Sequence, residues 1–102
     1  MNQVVLIGRL TKDVELKQGR TPYCKVSLAI DRQTEGTDFP RVTIFGKQAE
    51  NLAKYQGKGS LIAIEGHIQT GSYEKEGQTI YTTDIIADHV EWLSKGKESE
   101  GK

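Results

Sequence analysis

Aromatic and cationic residues share one face of the segment from Phe39 to Gly46. In an extended strand, side chains alternate between two faces, so Val42 and Ile44 lie on one face. The opposite face carries Phe39, Arg41, Thr43 and Phe45. At roughly 3.3 Å per residue, the two Phe are about 20 Å apart, which is too far for both to hold one small ligand.

Two separated aromatic platforms with a cation between them suit an extended strand of stacked, phosphate-linked bases. This face therefore indicates a surface for single-stranded nucleic acid. Taken alone, the segment favours a simpler alternative, in which both Phe fill a second layer of a barrel or a subunit interface.

Five predicted strands and one helix must position this face. Hydrophobic alternation predicts strands over 2–10, 23–31, 39–46, 60–70 and 79–93. Apolar residues at helical spacing, followed by Gly57 and Gly59, predict one short helix over 47–56. The number of strands and the position of the helix, between the third and fourth strands, predict an all-β, five-stranded oligonucleotide/oligosaccharide-binding (OB) barrel. That fold supports several functions.

The pattern within the strands predicts which side chains form the core. The 23–31 strand should point Cys24, Val26, Leu28 and Ile30 inward, and the fourth strand Ile62, Ile64 and Ile68. Val4 to Ile7 are apolar on both faces of the first strand, and Leu61 and Ala63 face outward. Such two-sided apolar strands indicate contact with another layer or another subunit. The 72–78 segment should form a polar hairpin tip that turns near Glu76 and Gly77.

Length and composition limit the class of protein. The 102 residues suffice for one domain, predicted over 1–93, and the polar residues 94–102 should form a disordered tail. Apolar runs are too short for a membrane span or a signal peptide. The single cysteine, Cys24, reads as a buried structural thiol, and a cytoplasmic location is the default expectation.

Charge is unevenly distributed along a chain whose formal net charge is zero. Residues 1–60 carry ten Lys or Arg against six Asp or Glu, whereas residues 61–102 carry four against eight. The two parts therefore have charges of +4 and −4. Nucleic-acid-binding domains are usually basic, so only a locally basic face is compatible with that function.

Four ordered blocks of the sequence resemble the bacterial single-stranded DNA-binding protein family over residues 2–93. The blocks run over 4–10, 39–50, 58–66 and 81–85. The resemblance implies an OB fold, usually a homotetramer, that binds single-stranded DNA with little sequence preference in replication, recombination and repair. It implies neither an enzymatic activity nor a cofactor.

The resemblance also implies roles for individual residues. Stacking aromatics would be Phe39, Phe45 and Tyr73. Phosphate contacts would come from Arg41, Lys47 and Lys58. Arg9 and Lys25 are further candidates for phosphate contacts, which the resemblance itself does not assign.

The chain departs from the family pattern in three places. Thr34 stands where many members have an aromatic residue, so one platform should be missing. The hairpin has Thr70 and Gly71 where members often carry basic residues. The acidic, Phe-terminated tip that recruits partners in many members is absent from the last residues given, so such recruitment is not expected. An accessory, phage or mobile-element form fits this ending, and so does a truncated chain.

Other potential sites are weaker. His67 and His89 have no Cys or carboxylate at metal-ligand spacing, so no metal site is predicted. Asp84 and Asp88 lack the clustered carboxylates of a nuclease, and the sequence Gly57-Lys58-Gly59-Ser60 follows a helix rather than opening one. Trp92 should pack against the barrel end or a neighbouring subunit.

The sequence therefore predicts a non-enzymatic binding module for single-stranded DNA. Alternatives stay open. Within OB folds they are an RNA-binding or initiation-factor-like protein and a primosome accessory protein, and from a different class an interaction scaffold whose Phe39/Phe45 face is a dimer surface.

Overall fold

The computed structural model describes residues 1–94 as a ring of strands with one helix against it. The elements are β1 (Val4–Leu10), β2 (Tyr23–Asp31), β3 (Thr37–Asp38), β4 (Arg41–Phe45), α1 (Lys47–Tyr55), β5 (Leu61–Lys75) and β6 (Gln78–Ser94). The tail was predicted over 94–102, but Ser94 ends β6, and residues 95–102 lie outside the described part. No helix within residues 1–94 is long and apolar enough to cross a membrane.

The five long strands follow one another around the ring in the order β1-β5-β6-β4-β2, and β2 closes on β1. Two of the contacts are short. β1 pairs with β2 only at Arg9 and Leu10, and the parallel pairing of β4 with β6 covers only Val42 with Ile85 and Thr43 with Ile86. The predicted five strands are confirmed, and the two-residue β3 adds a sixth that pairs with the end of β2.

The core lies inside the ring and under α1. Three of the four inward residues predicted for β2, Cys24, Val26 and Leu28, lie in it, whereas Ile30 is only partly buried against it. The core also contains Val42 and Ile44 of β4, Ile62 and Ile64 of β5, and Ala49 and Leu52 of α1. Ile68 was predicted to join this set, but it is exposed, because β5 has by then left the ring. Beyond that point, β5 and β6 continue as a two-stranded arm whose turn is Glu76-Gly77, as predicted. The predicted polar tip over 72–78 was too long, since both strands run up to the turn.

A bulge in β6 marks the base of the arm. Glu65 pairs with His89 and Gly66 with Ala87, which leaves Asp88 as an extra residue. Gln48 of α1 brackets it: its Nε2 donates to the Asp88 carbonyl at 3.2 Å, and its Oε1 accepts the Val90 amide at 2.8 Å. One side chain thus joins the helix to the strand at the bulge.

The far end of α1 also contacts β6. The ring centroids of Tyr55 and Trp92 are 5.8 Å apart, so Trp92 packs against the end of the helix. Lys54 lies over the Tyr55 ring, with Nζ 5.4 Å from its centroid.

Candidate nucleic-acid interface

Arg41 and Phe45 of β4 are exposed to solvent, because the other face of the strand packs into the core. Val42 and Ile44 are almost completely buried, whereas Phe45 is 45% exposed. Phe39 is 61% exposed, but it lies in the two-residue connection before β4 and not on the strand as predicted. The backbone stays close to β2 there, because the Leu28 amide donates to the Pro40 carbonyl at 3.1 Å.

Thr43, in the middle of the same face, is buried rather than exposed. Its register partners are Lys25 on β2 and Ile86 on β6, so long side chains flank it on both sides. This face therefore consists of exposed side chains with the buried Thr43 between them.

Tyr23 supports Phe45 from the neighbouring strand. The two residues are register partners, their ring centroids are 6.1 Å apart, and the planes are tilted by 40°. Such a tilted pair is a favourable aromatic geometry that limits the motion of both rings. Sequence alternation placed Tyr23 outward, but only the register of β2 with β4 identifies its partner.

Strand register also decides which face of the arm continues the β4 face. Paired residues project to the same side of a sheet. Because Thr43 pairs with Ile86, the β4 face continues on β6 through every second residue to Ile80. Ile80 pairs with Tyr73 of β5, and Tyr73 is 51% exposed. The arm therefore carries Tyr73 on the same side as Phe45.

Tyr81 lies on the opposite side of the arm. It pairs with Ser72 and, at 80% exposure, is more exposed than Tyr73. The sequence analysis assigned Tyr81 no role. The pairing of β5 with β6 shows that Tyr81 and Tyr73 lie on opposite faces of the arm.

The predicted phosphate-contacting cations fall into separate groups. Lys25 and Arg41 are exposed on the Phe45 face, opposite Thr43 and Ser27 respectively. Lys47, at the start of α1, lies 3.8 Å from Glu50. The structure does not gather all five cations at one place.

Arg9 and Lys58 form the other group, at the β1 side of the ring. The Arg9 Nη1 donates to the Gly59 carbonyl at 2.8 Å, so part of this guanidinium stabilises the loop after α1. The Lys58 side chain is exposed on that same loop.

The titratable groups show no catalytic arrangement in the described part of the chain. No group of three or more His, Cys, Asp or Glu that could hold a metal occurs within residues 1–94. His67 pairs with Asp88 at 3.0 Å and His89 with Glu91 at 3.2 Å. Cys24 is buried, and desolvation raises the pKa of its thiol to about 11, which disfavours the reactive thiolate.

Comparison with known proteins agrees with this geometry. The sequence profile described as the Single-strand binding protein family matches residues 1–93. The chain belongs to this family.

Individual family members cover most of the chain. It is 45% identical to Single-stranded DNA-binding protein 2 of Clostridium acetobutylicum, over 97% of this chain and 81% of that protein. It is 49% identical to the Single-stranded DNA-binding protein of Clostridium tetani, over 99% and 77% of the two chains.

Among solved structures, the mitochondrial single-stranded DNA binding protein Rim1 of S. cerevisiae is similar, with a TM-score of 0.78 and 22% identity. The similarity covers 92% of this chain and 96% of that one. At this identity it supports the fold alone, and it confirms the predicted OB fold.

Proposed function

We propose that this chain binds single-stranded DNA with little sequence preference, in replication, recombination or repair. Bases stack on Phe39, Phe45 and Tyr73, and cations of the same face hold the phosphates. The observation that carries the proposal is the register that places Phe45 and Tyr73 on one continuous face, with Lys25 and Arg41 beside it. Stacking requires no particular base, which explains a weak sequence preference.

The arm extends this face away from the ring. From Ile68 to Lys75, β5 has eight residues, or roughly 26 Å at the usual rise. A DNA strand that contacts both Phe45 and Tyr73 must therefore span several nucleotides, and its bases must be unpaired for their faces to stack on the two rings. This need for free base faces favours single strands over double strands as the ligand.

The proposed activity is binding rather than catalysis, and it needs no cofactor. The electrostatic share comes from local cations, because the formal net charge of the chain is zero. Three other cations, Lys47, Lys58 and Arg9, lie outside the Lys25/Arg41 group. They contact phosphates only if the bound DNA continues around the ring. Each additional phosphate contact should steepen the salt dependence.

We also propose that the chain forms a homo-oligomer, most simply a tetramer built from two dimers. Val5 and Ile7 project from the outer face of β1 and are 65% and 53% exposed. The edge of β1 away from β5 has register partners within residues 1–94 only at Arg9 and Leu10. An unpaired strand edge beside exposed apolar side chains is a surface that proteins usually cover.

The decisive experiment is a titration of intrinsic Tyr and Trp fluorescence with oligo-dT, oligo-rU and a duplex of equal length. We expect quenching by oligo-dT at low concentration, with the duplex weaker by at least two orders of magnitude. Because Trp92 packs against Tyr55 beyond the site, the quenched signal should come from tyrosine. Preference for oligo-rU would favour the RNA-binding alternative. Absence of quenching by all three would favour the scaffold alternative.

A further inference from the structure

A cavity of about 240 Å³ opens where the β1–β2 connection approaches the outer face of β2 and β4. It is smaller than the roughly 300 to 1,000 Å³ typical of pockets for drug-sized ligands. Its lining residues are Thr11, Lys12, Asp13, Glu15, Lys25, Val26, Ser27 and Arg41. Arg41 places the cavity on the path along β4, two residues after Phe39 and four before Phe45.

Three cationic and two acidic side chains line this cavity, and the cations are the groups free to bind a ligand. Lys12, Lys25 and Arg41 are all exposed, and within residues 1–94 none of them has a carboxylate within 4.0 Å. The two acids are partly engaged elsewhere. Asp13 Oδ1 accepts the Lys58 amide at 2.9 Å, and Glu15 Oε1 lies 4.0 Å from Lys17 Nζ.

The chemistry of the lining suits a phosphate better than a base. No aromatic side chain lines the cavity, so it offers nothing for stacking, whereas Thr11 and Ser27 add hydroxyl groups. Lys25 and Arg41 occupy diagonal positions of paired strands, which typically lie 7 to 8 Å apart and can flank one anion. Lys12 approaches the same space from the β1–β2 connection.

We infer that this cavity is a subsite for one backbone phosphate of the DNA segment that links the base stacked on Phe39 to the base stacked on Phe45. The inference rests on the proposed function and adds Lys12 to the cations that hold the strand. Lys12 was not among the predicted phosphate contacts, because it lies in a charged connection with no periodic pattern. That phosphate is held by charge, while the bases at the two ends of the segment are held by their aromatic platforms.

The test is the salt dependence of oligo-dT binding by Lys12→Ala. Each phosphate contact on a single strand contributes about 0.7 to the slope of log affinity against log salt. Because Lys25 and Arg41 remain, Lys12→Ala should flatten the slope by up to about 0.7. The loss of affinity should then be greater at 50 mM than at 200 mM salt, by up to about 2.5-fold. Glu15→Gln should raise affinity two- to threefold. Lys54→Ala is the matched control, because Lys54 is exposed and lies over Tyr55 on α1.

The outcomes separate this inference from the proposed function. If the wild type fails to bind oligo-dT, the proposed function is wrong. If the wild type binds but Lys12→Ala keeps its slope, or changes it no more than Lys54→Ala does, only the subsite is overturned.

An NMR titration distinguishes the source of the phosphate. Oligo-dT should shift the amide signals of Thr11, Lys12 and Ser27 and displace inorganic phosphate from them. If inorganic phosphate saturates these signals at low millimolar concentration and oligo-dT does not displace it, the cavity is a free-anion site and the inference is overturned.

Discussion

Phe45 is the aromatic side chain with the strongest structural support, because Tyr23 packs against it while nearly half of its surface stays exposed. A side chain held in this way loses less conformational freedom when a base stacks on it. Within residues 1–94, no aromatic ring packs against Tyr73, so its position depends on the arm. We therefore expect Phe45 to contribute more than Tyr73.

Phe45→Ala should weaken oligo-dT binding by about 1 to 3 kcal/mol, and Tyr73→Ala by less, because each removes a stacking platform. Tyr81→Ala is the matched control, since Tyr81 is on the same arm but on its other side. Fluorescence anisotropy with labelled oligo-dT measures all three. An effect of Tyr81→Ala as large as that of Phe45→Ala would contradict the assignment of the binding face.

Thr43 shows why sequence alone was insufficient at this scale. Alternation predicted correctly that Phe45 and Arg41 face away from the core, but it also placed Thr43 in solvent. Burial of Thr43 comes from residues on two other strands, and single-strand periodicity carries no information about such neighbours. The same reason hid the contact between Tyr23 and Phe45.

The thiol of Cys24 should make stability depend on pH at the alkaline end. Its pKa is raised from 9.0 to about 11 in the folded protein, so the folded state keeps the proton that the unfolded state loses. This contribution is complete below pH 9 and is lost as the pH rises toward 11. Urea unfolding between pH 8 and 10.5 should show a steeper decline for the wild type than for Cys24→Ala. Equal slopes would show that the burial of Cys24 does not couple to pH.

At the scale of elements, the base of the β5–β6 arm depends on Gly66. A Cβ at this position would overlap the carbonyl oxygen of Ile86 and lie 3.1 Å from the Cα of Ala87, both of which are backbone atoms. The close approach coincides with the bulge at Asp88, which Gln48 brackets from α1. Gly66 thus lets β5 and β6 cross closely where the ring becomes an arm.

Gly66→Ala should destabilise the protein by about 3 kcal/mol, because backbone must shift to admit the methyl group. Gly71→Ala on the same strand meets only the Thr82 hydroxyl at 3.4 Å and should stay within about 0.5 kcal/mol of the wild type. Urea denaturation of both variants gives the comparison. Similar stabilities for the two would show that the crossing relaxes without cost.

The elements that could be predicted are those that bury one face. The bounds of β2 agree with the sequence pattern at both ends, and α1 differs by one residue. The arm was harder, because 69–79 have no core face and polar alternation there resembles a loop. Cross-strand pairing holds the arm, and pairing is not visible in one strand's sequence.

At the scale of the whole molecule, the outer face of β1 should decide the oligomeric state. Ile7→Asp places a charge on the exposed apolar face and should reduce the mass measured by light scattering to that of a smaller species. Ile68→Asp is the matched control, because Ile68 is comparably exposed but lies on the arm. A wild type that is already monomeric at micromolar concentration would contradict the proposed assembly. An Ile7→Asp variant with the same mass as an oligomeric wild type would contradict the role of this face.

The two-pair contact between β4 and β6 has a consequence for motion. Before Ile85, β6 has register partners within residues 1–94 only on β5, so the arm is joined to the rest of the ring through its base. Segments with few neighbours open at low free energy, and their backbone amides exchange with solvent quickly. Amides of the arm should therefore exchange deuterium faster than those of β2 in the free protein. A DNA strand held by both Phe45 and Tyr73 would connect the arm to the ring. It should therefore slow deuterium exchange along the arm and leave the exchange of α1 amides unchanged.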